Sequence, residues 1–391
     1  MNSRKMEYIY GFILSIGLVT VSPLAASAGG FSRGEANTDI LFGDARFSTE
    51  SSVIYVSPNR SYSSIMGQSV DESAYSNSFA IPSVSLGMRL GDNLSCALTY
   101  TQPFGASGTY SEAAQNAEFL TALAAGSTFP NPTSKMKFYA DEYGATCGIR
   151  LDAGPGRLHF IGGMFLETFD YKEDTLIGSV HLKDDGQLGY RAGIAYDIPE
   201  YAMRVQLLYR SQVEHEADGT YTPSAFGIAN GIPTDLPAKG AGTLPQSLKL
   251  SAQTGVAPGW LVYGSAAWTD WSVLPGFSYD VTGLGTSSKV FNYKDGYTLQ
   301  MGVGHEFTDK VSGTVNLTWD RGVGTGADIT TDTWTLGLGT QYKGNFGTVG
   351  VGAALSYLTA GSQNASSGAT YDATANADWA FAVGVTYALQ F

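Results

Sequence analysis

The sequence predicts an all-β chain: a 14-stranded antiparallel transmembrane β-barrel with an N-terminal plug in its lumen. Three observations predict it. Large apolar residues alternate with small or polar ones nearly throughout. Aromatic residues gather at strand ends. Short and long connections alternate strictly along the chain.

Residues 1–28 read as a secretory signal peptide, with Arg4 and Lys5 before the apolar run "YIYGFILSIGLVTV" and "ASA" at 26–28 as the cleavage site. Beyond it no apolar run reaches the ~18 residues that a membrane helix needs. Residues 29–50, "GGFSRGEANTDILFGDARFSTE", carry no clean alternation and are assigned to the plug. Residues 51–391 form the barrel.

The strands are expected at 51–57, 79–90, 93–102, 139–151, 157–170, 187–198, 201–215, 245–256, 260–273, 296–308, 311–320, 332–343, 347–359 and 379–391. In "WAFAVGVTYALQF" the odd positions Trp379 to Phe391 are all large and the even ones small or polar. "WTLGLGTQY" and "VSGTVNLTW" repeat that pattern. Such a period of two marks strands with unlike faces. The pairs Trp260/Trp268, Trp334/Tyr342 and Trp379/Tyr387 place rings at two levels, as interface girdles do.

The short connections are "GDN", "DAGPGR", "IPE", "APG", "TDK" and "KGNF". The long ones cover 58–78, 103–138, 171–186, 216–244, 274–295, 321–331 and 360–378. An even strand number with short turns at one end and long loops at the other is the outer-membrane pattern. It puts both termini in the periplasm of a Gram-negative cell. A barrel of this size cannot be filled by side chains alone, so its lumen is either plugged or an open pore.

Composition narrows the function. A net charge of −13 disfavours nucleic acid. The four histidines lack metal-ligand spacing, no cofactor is implied, and no Ser–His pair suggests catalysis, so the reading is not an enzyme. Cys96 and Cys147 share outward parity on adjacent strands; free thiols facing lipid are the reading taken, with a cross-strand disulfide as the alternative. Residues 111–125, "SEAAQNAEFLTALAA", are the one clear helix, and its stripe of Phe119, Leu120 and Leu123 is either a greasy landing site or packing against the rim.

"LPQSLKLSAQTGVAPGWLVYGSAAWTDWS", "LYRSQVEHEADGTY" and "DGYTLQMGVGHEFTDKVSGTVNLTWD" together resemble segments of the FadL-type outer-membrane transporters. The resemblance covers about 190–391 well and the first half loosely. It implies passive uptake of long-chain fatty acids or similar hydrophobic molecules, with an aromatic-hydrocarbon channel of the same fold as the alternative. A general diffusion porin is the rival of another class.

The resemblance further implies a kink and lateral opening at "QPFGASG", hence gating roles for Pro103 and Gly105; the plain alternative is that the strand ends there. The missing donor of Pro82 lies near the same wall. The plug residues Phe31, Leu41 and Phe42 complete the expected gate. A fatty-acid carboxylate in a lumen pocket requires a cation, and Arg33, Arg204 and Arg210 are the candidates. Pairing with Glu35, Glu142 or Glu306 is the competing role for each. The Asn-Pro-Ala stretch common in that family's plug is absent here. Expected partners are the hydrophobic substrate, outer-membrane lipid and lipopolysaccharide, and the barrel insertion machinery, which the terminal Phe391 resembles a signal for. The expected state is a monomer.

Overall fold

In the computed structural model, which describes residues 29–391, fourteen antiparallel strands close on themselves. The signal-peptide reading of 1–28 lies outside the described residues. The strands are β1 (Phe47–Pro58), β2 (Phe79–Leu90), β3 (Leu94–Thr109), β4 (Thr133–Ala153), β5 (Gly156–Thr175) and β6 (Gly178–Ile198). Then β7 (Met203–Arg210) resumes as Val213–Pro223, and β8 runs through Leu236–Leu244 and Ser247–Ala257. Two more broken strands follow, β9 (Trp260–Thr269, Gly276–Val281) and β10 (Gly285–Val290, Gly296–Thr308). The wall ends with β11 (Val311–Asp320), β12 (Thr333–Gly344), β13 (Gly347–Leu358) and β14 (Asp378–Gln390). Pairing of β14 with β1, from Ser48↔Gln390 to Pro58↔Ala380, shuts the cylinder. Among the described residues each wall strand pairs with a neighbour on both sides, as a hydrocarbon surround demands, with β2 and β3 paired only from Ser83↔Thr101 to Leu90↔Leu94.

The last strand shows how sequence sets the wall. Trp379, Phe381, Val383, Val385 and Tyr387 are exposed on the outer face, while Ala380, Ala382, Thr386 and Ala388 are buried inward. The small inner residues leave room for residues 29–46, which run inside the barrel. There Leu41 packs on the inward Ala97, Ile161 and Ala195.

Two expectations change. First, β4, β5 and β6 are 20 or 21 residues long, so residues 171–186 are mostly strand rather than loop, as is most of 216–244. These strands rise past the apolar belt into a crown where the alternation inverts. On β5, Met164 and Leu166 face outward in the belt; higher up, Lys172 and Asp174 face outward, and Phe169 and Tyr171 face inward. The outer face there meets water and head groups, so the large apolar side chains move to the inside. Second, Cys96 and Cys147 are directly opposed on β3 and β4 and form a disulfide, with Cα atoms 4.0 Å apart. The free-thiol reading is corrected: cross-strand register, which parity alone does not give, sets the two sulfurs together.

The helix α1 (Glu112–Ala124) is capped by Ser111, whose Oγ accepts from the Ala114 N–H at 3.1 Å. It buries Ala114 and Ala117 against Tyr62, Ile65, Tyr371 and Ala373. A small four-stranded sheet (Ser64–Ile65, Gln68–Ser69, Gly361–Gln363, Ala373–Ala375) lies in these outer loops.

Candidate functional site

The wall between β2 and β3 comes apart halfway up. Their pairing stops at Ser83↔Thr101, one residue short of Pro82, whose ring nitrogen has no hydrogen to donate. On its other side β3 bulges against β4 between Thr101 and Phe104, a step that contains Pro103. The strand does not end there; it continues to Thr109.

The vacated edge of β3 is taken by the N-terminal segment. The Arg33 N–H donates to the Pro103 carbonyl at 2.7 Å, Gly34 N–H to Gln102 at 2.9 Å, and Gly105 N–H to the Phe31 carbonyl at 2.8 Å. Ser32 and Phe104 form the bridge between them. Two glycines lie at this contact, and Gly34 is the one whose Cβ would meet backbone, 3.0 Å from the Gln102 carbonyl oxygen. A Cβ on Gly34 would fall 2.5 Å from the Thr101 hydroxyl, and one on Gly105 would fall 2.7 Å from the Arg33 guanidinium carbon. That guanidinium lies over the Phe79 ring, its carbon 3.9 Å from the ring centre.

This docking carries the Phe31 ring into the crown. It makes edge contacts with Phe138 at 4.9 Å, Phe291 at 5.2 Å, Tyr293 at 5.6 Å and the fully buried Trp271 at 5.8 Å. Beside Phe31 is a cavity of about 30 Å³ walled by Phe138, Phe169, Tyr171, Phe277 and Leu244, with His215 and Lys289 also on its surface. That volume holds about one or two waters, so any larger guest must displace a ring.

Beneath the rings lies a floor of buried charge. Glu142 is held by Arg191, and by Arg210 at 3.0 Å; Arg210 also pairs with Glu167. The Nε2 of His215 faces Glu167 at 3.2 Å, and its Nδ1 faces Asp184 at 3.0 Å. Arg210 stacks on Phe165 at 4.5 Å and Phe104 at 5.1 Å, and His215, which belongs to the floor, also lines the cavity. At the cavity's other side Lys289 pairs with Glu173 at 2.8 Å and Glu118 at 3.8 Å. Burial alone would lower the Lys289 ammonium, but those two carboxylates outweigh it and hold it above the usual lysine range.

The sequence-named residues therefore fall into separate groups. Phe31, Arg33, Pro103 and Gly105 meet at the gap in the wall. Arg210 is in the charge floor. Leu41, Phe42 and Arg204 lie toward the short turns, where Arg204 pairs with Asp39 at 3.0 Å and covers Phe42 at 4.4 Å. Phe42 also meets His159 at 4.8 Å. The other acids of the segment are paired too: Glu35 with Lys249 at 2.5 Å, and Asp44 with Arg89, Arg150 and Arg157 at 3.0–3.6 Å. On α1, Leu120 and Leu123 are exposed and Phe119 is half-buried; none of the three lines the cavity.

Sequence reasoning missed Phe138, Phe169, Tyr171, Trp271, Lys289 and the Arg191–Glu167–His215 part of the floor. The inverted alternation of the crown was the signal available for the rings.

A loop supports the same ring cluster. The Tyr293 hydroxyl and the Thr330 hydroxyl both donate to Asp328, in the connection that follows β11. Burial pushes the Asp328 carboxyl up to about 6, against the lowering effect of those donors. A raised value in the fold means that this site's contribution is present below the unfolded value of ~3.9 and is lost as pH rises through about 6. Hydrogen exchange across 291–295 and 321–331 is therefore expected to speed up by about tenfold between pH 5 and pH 7, once intrinsic rates are removed. Asp328→Asn should flatten that dependence; an unchanged pH profile in the variant would count against it.

A closed barrel with a segment docked in a parted wall and an apolar cavity above a charged floor defines an outer-membrane conduit. The chain belongs to the outer membrane protein transport protein family (OMPP1/FadL/TodX), whose model matches residues 40–389. It is 32% identical over 127 residues to a long-chain fatty acid transport protein of Escherichia coli O6:H1, covering 29% of this chain and 27% of that one. A protein of the same description from Salmonella typhi is 28% identical over 142 residues, 34% of this chain and 32% of the relative. The matches thus span about a third or less of these curated relatives. Among solved structures, a Pseudomonas aeruginosa FadL homologue has a TM-score of 0.67 at 14% identity, covering 89% of this chain and 91% of that one. The P. putida toluene transporter TodX has a TM-score of 0.61 at 12% identity, with 90% and 92% covered. These two likenesses establish the fold.

Proposed function

We propose that the protein admits an uncharged hydrophobic molecule of aromatic size, and passes it without chemistry from the crown cavity sideways through the parted wall. The observation that carries this reading is the state of the cations. Arg191, Arg210, Lys289 and His215 are the cationic or imidazole groups of the cavity and its floor, and each already faces a carboxylate. Five carboxylates (Glu118, Glu142, Glu167, Glu173, Asp184) surround them. A fatty-acid head group would add another negative charge there, where these four groups already face carboxylates. A neutral ring asks for no cation, and edge contacts with aromatic walls favour it by about 0.5–1.5 kcal/mol each beyond area burial.

The charged floor supports the sideways route. A hydrophobe moving straight down would have to desolvate against buried ions, whereas the gap at Ser83/Thr101 opens toward the apolar belt. Phe31 and the residues 32–34 that follow it act as the gate. The exposed Leu120 and Leu123 of α1 and the nearby Phe129 are the capture surface at the outer loops.

Uptake assays separate the substrates. Cells making the protein should take up labelled toluene at least tenfold faster than cells lacking it, with oleate at background in both. Uptake of oleate without toluene would overturn the assignment and return the fatty-acid reading. A large steady conductance of the purified protein in planar bilayers would overturn the gated conduit altogether.

A further inference from the structure

We infer that the outer face of β4 and β5 carries a binding site for the phosphate groups of the phosphorylated glycolipid in the outer leaflet, built from Lys135, Lys137 and Lys172. The three side chains are exposed and outward on adjacent strands. Lys137 and Lys172 are directly opposed across the β4–β5 ladder. Like charges in that position destabilise a sheet; what stands near them is the Tyr139 ring by Lys137 and Asp174, which is opposed to Lys135 one same-face pair higher but beyond ion-pair distance. Among the described residues no carboxylate lies within ion-pair distance of Lys135, Lys137 or Lys172. The nearest acids have other partners: Asp174 accepts from the Ser179 hydroxyl at 2.7 Å, and Asp170 takes His181 at 3.2 Å and Lys183 at 3.4 Å. In a chain of net charge −13, three adjacent lysines without an ion pair, two of them directly opposed, leave a local positive charge that an external anion would offset.

Height selects the leaflet. On β4 the apolar belt ends at the exposed Tyr143, whose cross-strand partner is Leu166. Lys137 is six residues further up, about 15 Å above it for a strand tilted as barrel strands are. That is on the outer side of the belt, where the phosphorylated sugars of the outer leaflet stand, and beyond the reach of inner-leaflet head groups. Tyr139 lies between, above the belt, with the Lys137 ammonium 5.2 Å from its ring centre. The arrangement offers three ammonium groups to one phosphorylated sugar, each worth a few-fold in affinity near a charged surface.

The test titrates the whole barrel in detergent by native mass spectrometry. The probes are bisphosphorylated lipid A, lipid A stripped of phosphate, and phosphatidylglycerol. The wild type should bind bisphosphorylated lipid A at least tenfold tighter than either other lipid. Lys135→Gln/Lys137→Gln/Lys172→Gln should erase that preference, and Lys310→Gln/Lys343→Gln, at the short turns, should leave it intact. The single variant Lys137→Gln gives a second readout that any folded sample supports. It removes the lysine–lysine repulsion, so it should melt no lower than wild type without lipid A, and lower than wild type with lipid A bound. Equal lipid A binding by the triple variant, or phosphatidylglycerol binding as tight as lipid A, overturns the site.

Discussion

Fixing residue 32 to residue 104 through a disulfide is expected to drop uptake of a neutral aromatic to the level of cells without the protein, and reduction to restore it. The variant is Ser32→Cys/Phe104→Cys in a Cys96→Ser/Cys147→Ser background, so that the reductant acts on one bond alone. The geometry suits a cross-link. The bonds from Arg33 N–H to Pro103 and from Gly105 N–H to Phe31 flank the Ser32↔Phe104 pair. It is therefore a non-hydrogen-bonded antiparallel pair, the closer of the two kinds. The native Cys96–Cys147 pair is likewise directly opposed, with Cα atoms 4.0 Å apart.

The expected effect is large because the cavity has no spare room. At about 30 Å³ it cannot take a benzene-sized guest unless a lining side chain moves, and on the proposed gate that side chain is Phe31. Phe31 is one residue from the cross-link, so a tether at 32 holds its ring between Phe138 and Phe291. Removing the Phe104 ring has its own cost, about 3–5 kcal/mol for a buried aromatic. The same molecules before and after reduction control for that loss. Fully cross-linked protein that transports at the reduced rate would show that residues 31–34 do not move, and the gate would have to be sought elsewhere.

The wall was legible in the sequence because lipid imposes one rule on it. Where both neighbours are fixed, hydrocarbon outside and a small-residue lumen inside, alternation identifies strand and face together, as at Trp379 to Tyr387. Above the belt the period of two persists but its sense reverses. Lys172 and Asp174 point out, and Phe169 and Tyr171 point in. Reading large residues as lipid-facing therefore turned the crown into loops and hid the cavity's rings. The gap in the wall could be seen as local oddities, two prolines and a glycine near each other. That residues 31–34 fill it depends on pairing between segments some seventy residues apart, which no local pattern encodes. Charge partners failed for the same reason. Arg210 reaches Glu142, 68 positions away, and Glu167, 43 positions away, through register alone. Of the two roles open to Arg204 and Arg210, substrate cation or internal pairing, the structure shows the pairing.

Replacing Arg210 by Met should be the most damaging single substitution for stability, and a second substitution should repair much of it. Glu142 and Glu167 are 1% and 0% exposed at the side chain. With Arg210 gone, Glu142 keeps Arg191, but Glu167 keeps only His215, which it shares with Asp184. Removing one partner of a buried pair costs about 3–5 kcal/mol, because the remaining charge is left without compensation. Arg210→Met/Glu167→Gln removes the stranded charge and keeps the Glu142–Arg191 pair, so it should lie closer to wild type than the single variant. The measurement is a thermal unfolding series of the four members of the cycle in one detergent at one pH. The coupling between the two positions should be favourable and exceed about 1 kcal/mol, as for contacting charges in one network. If the single variant instead unfolds with the wild type, Arg210 is not held by its acids. It would then be free to meet a carboxylate, and the case for a neutral substrate would lose the observation on which it stands.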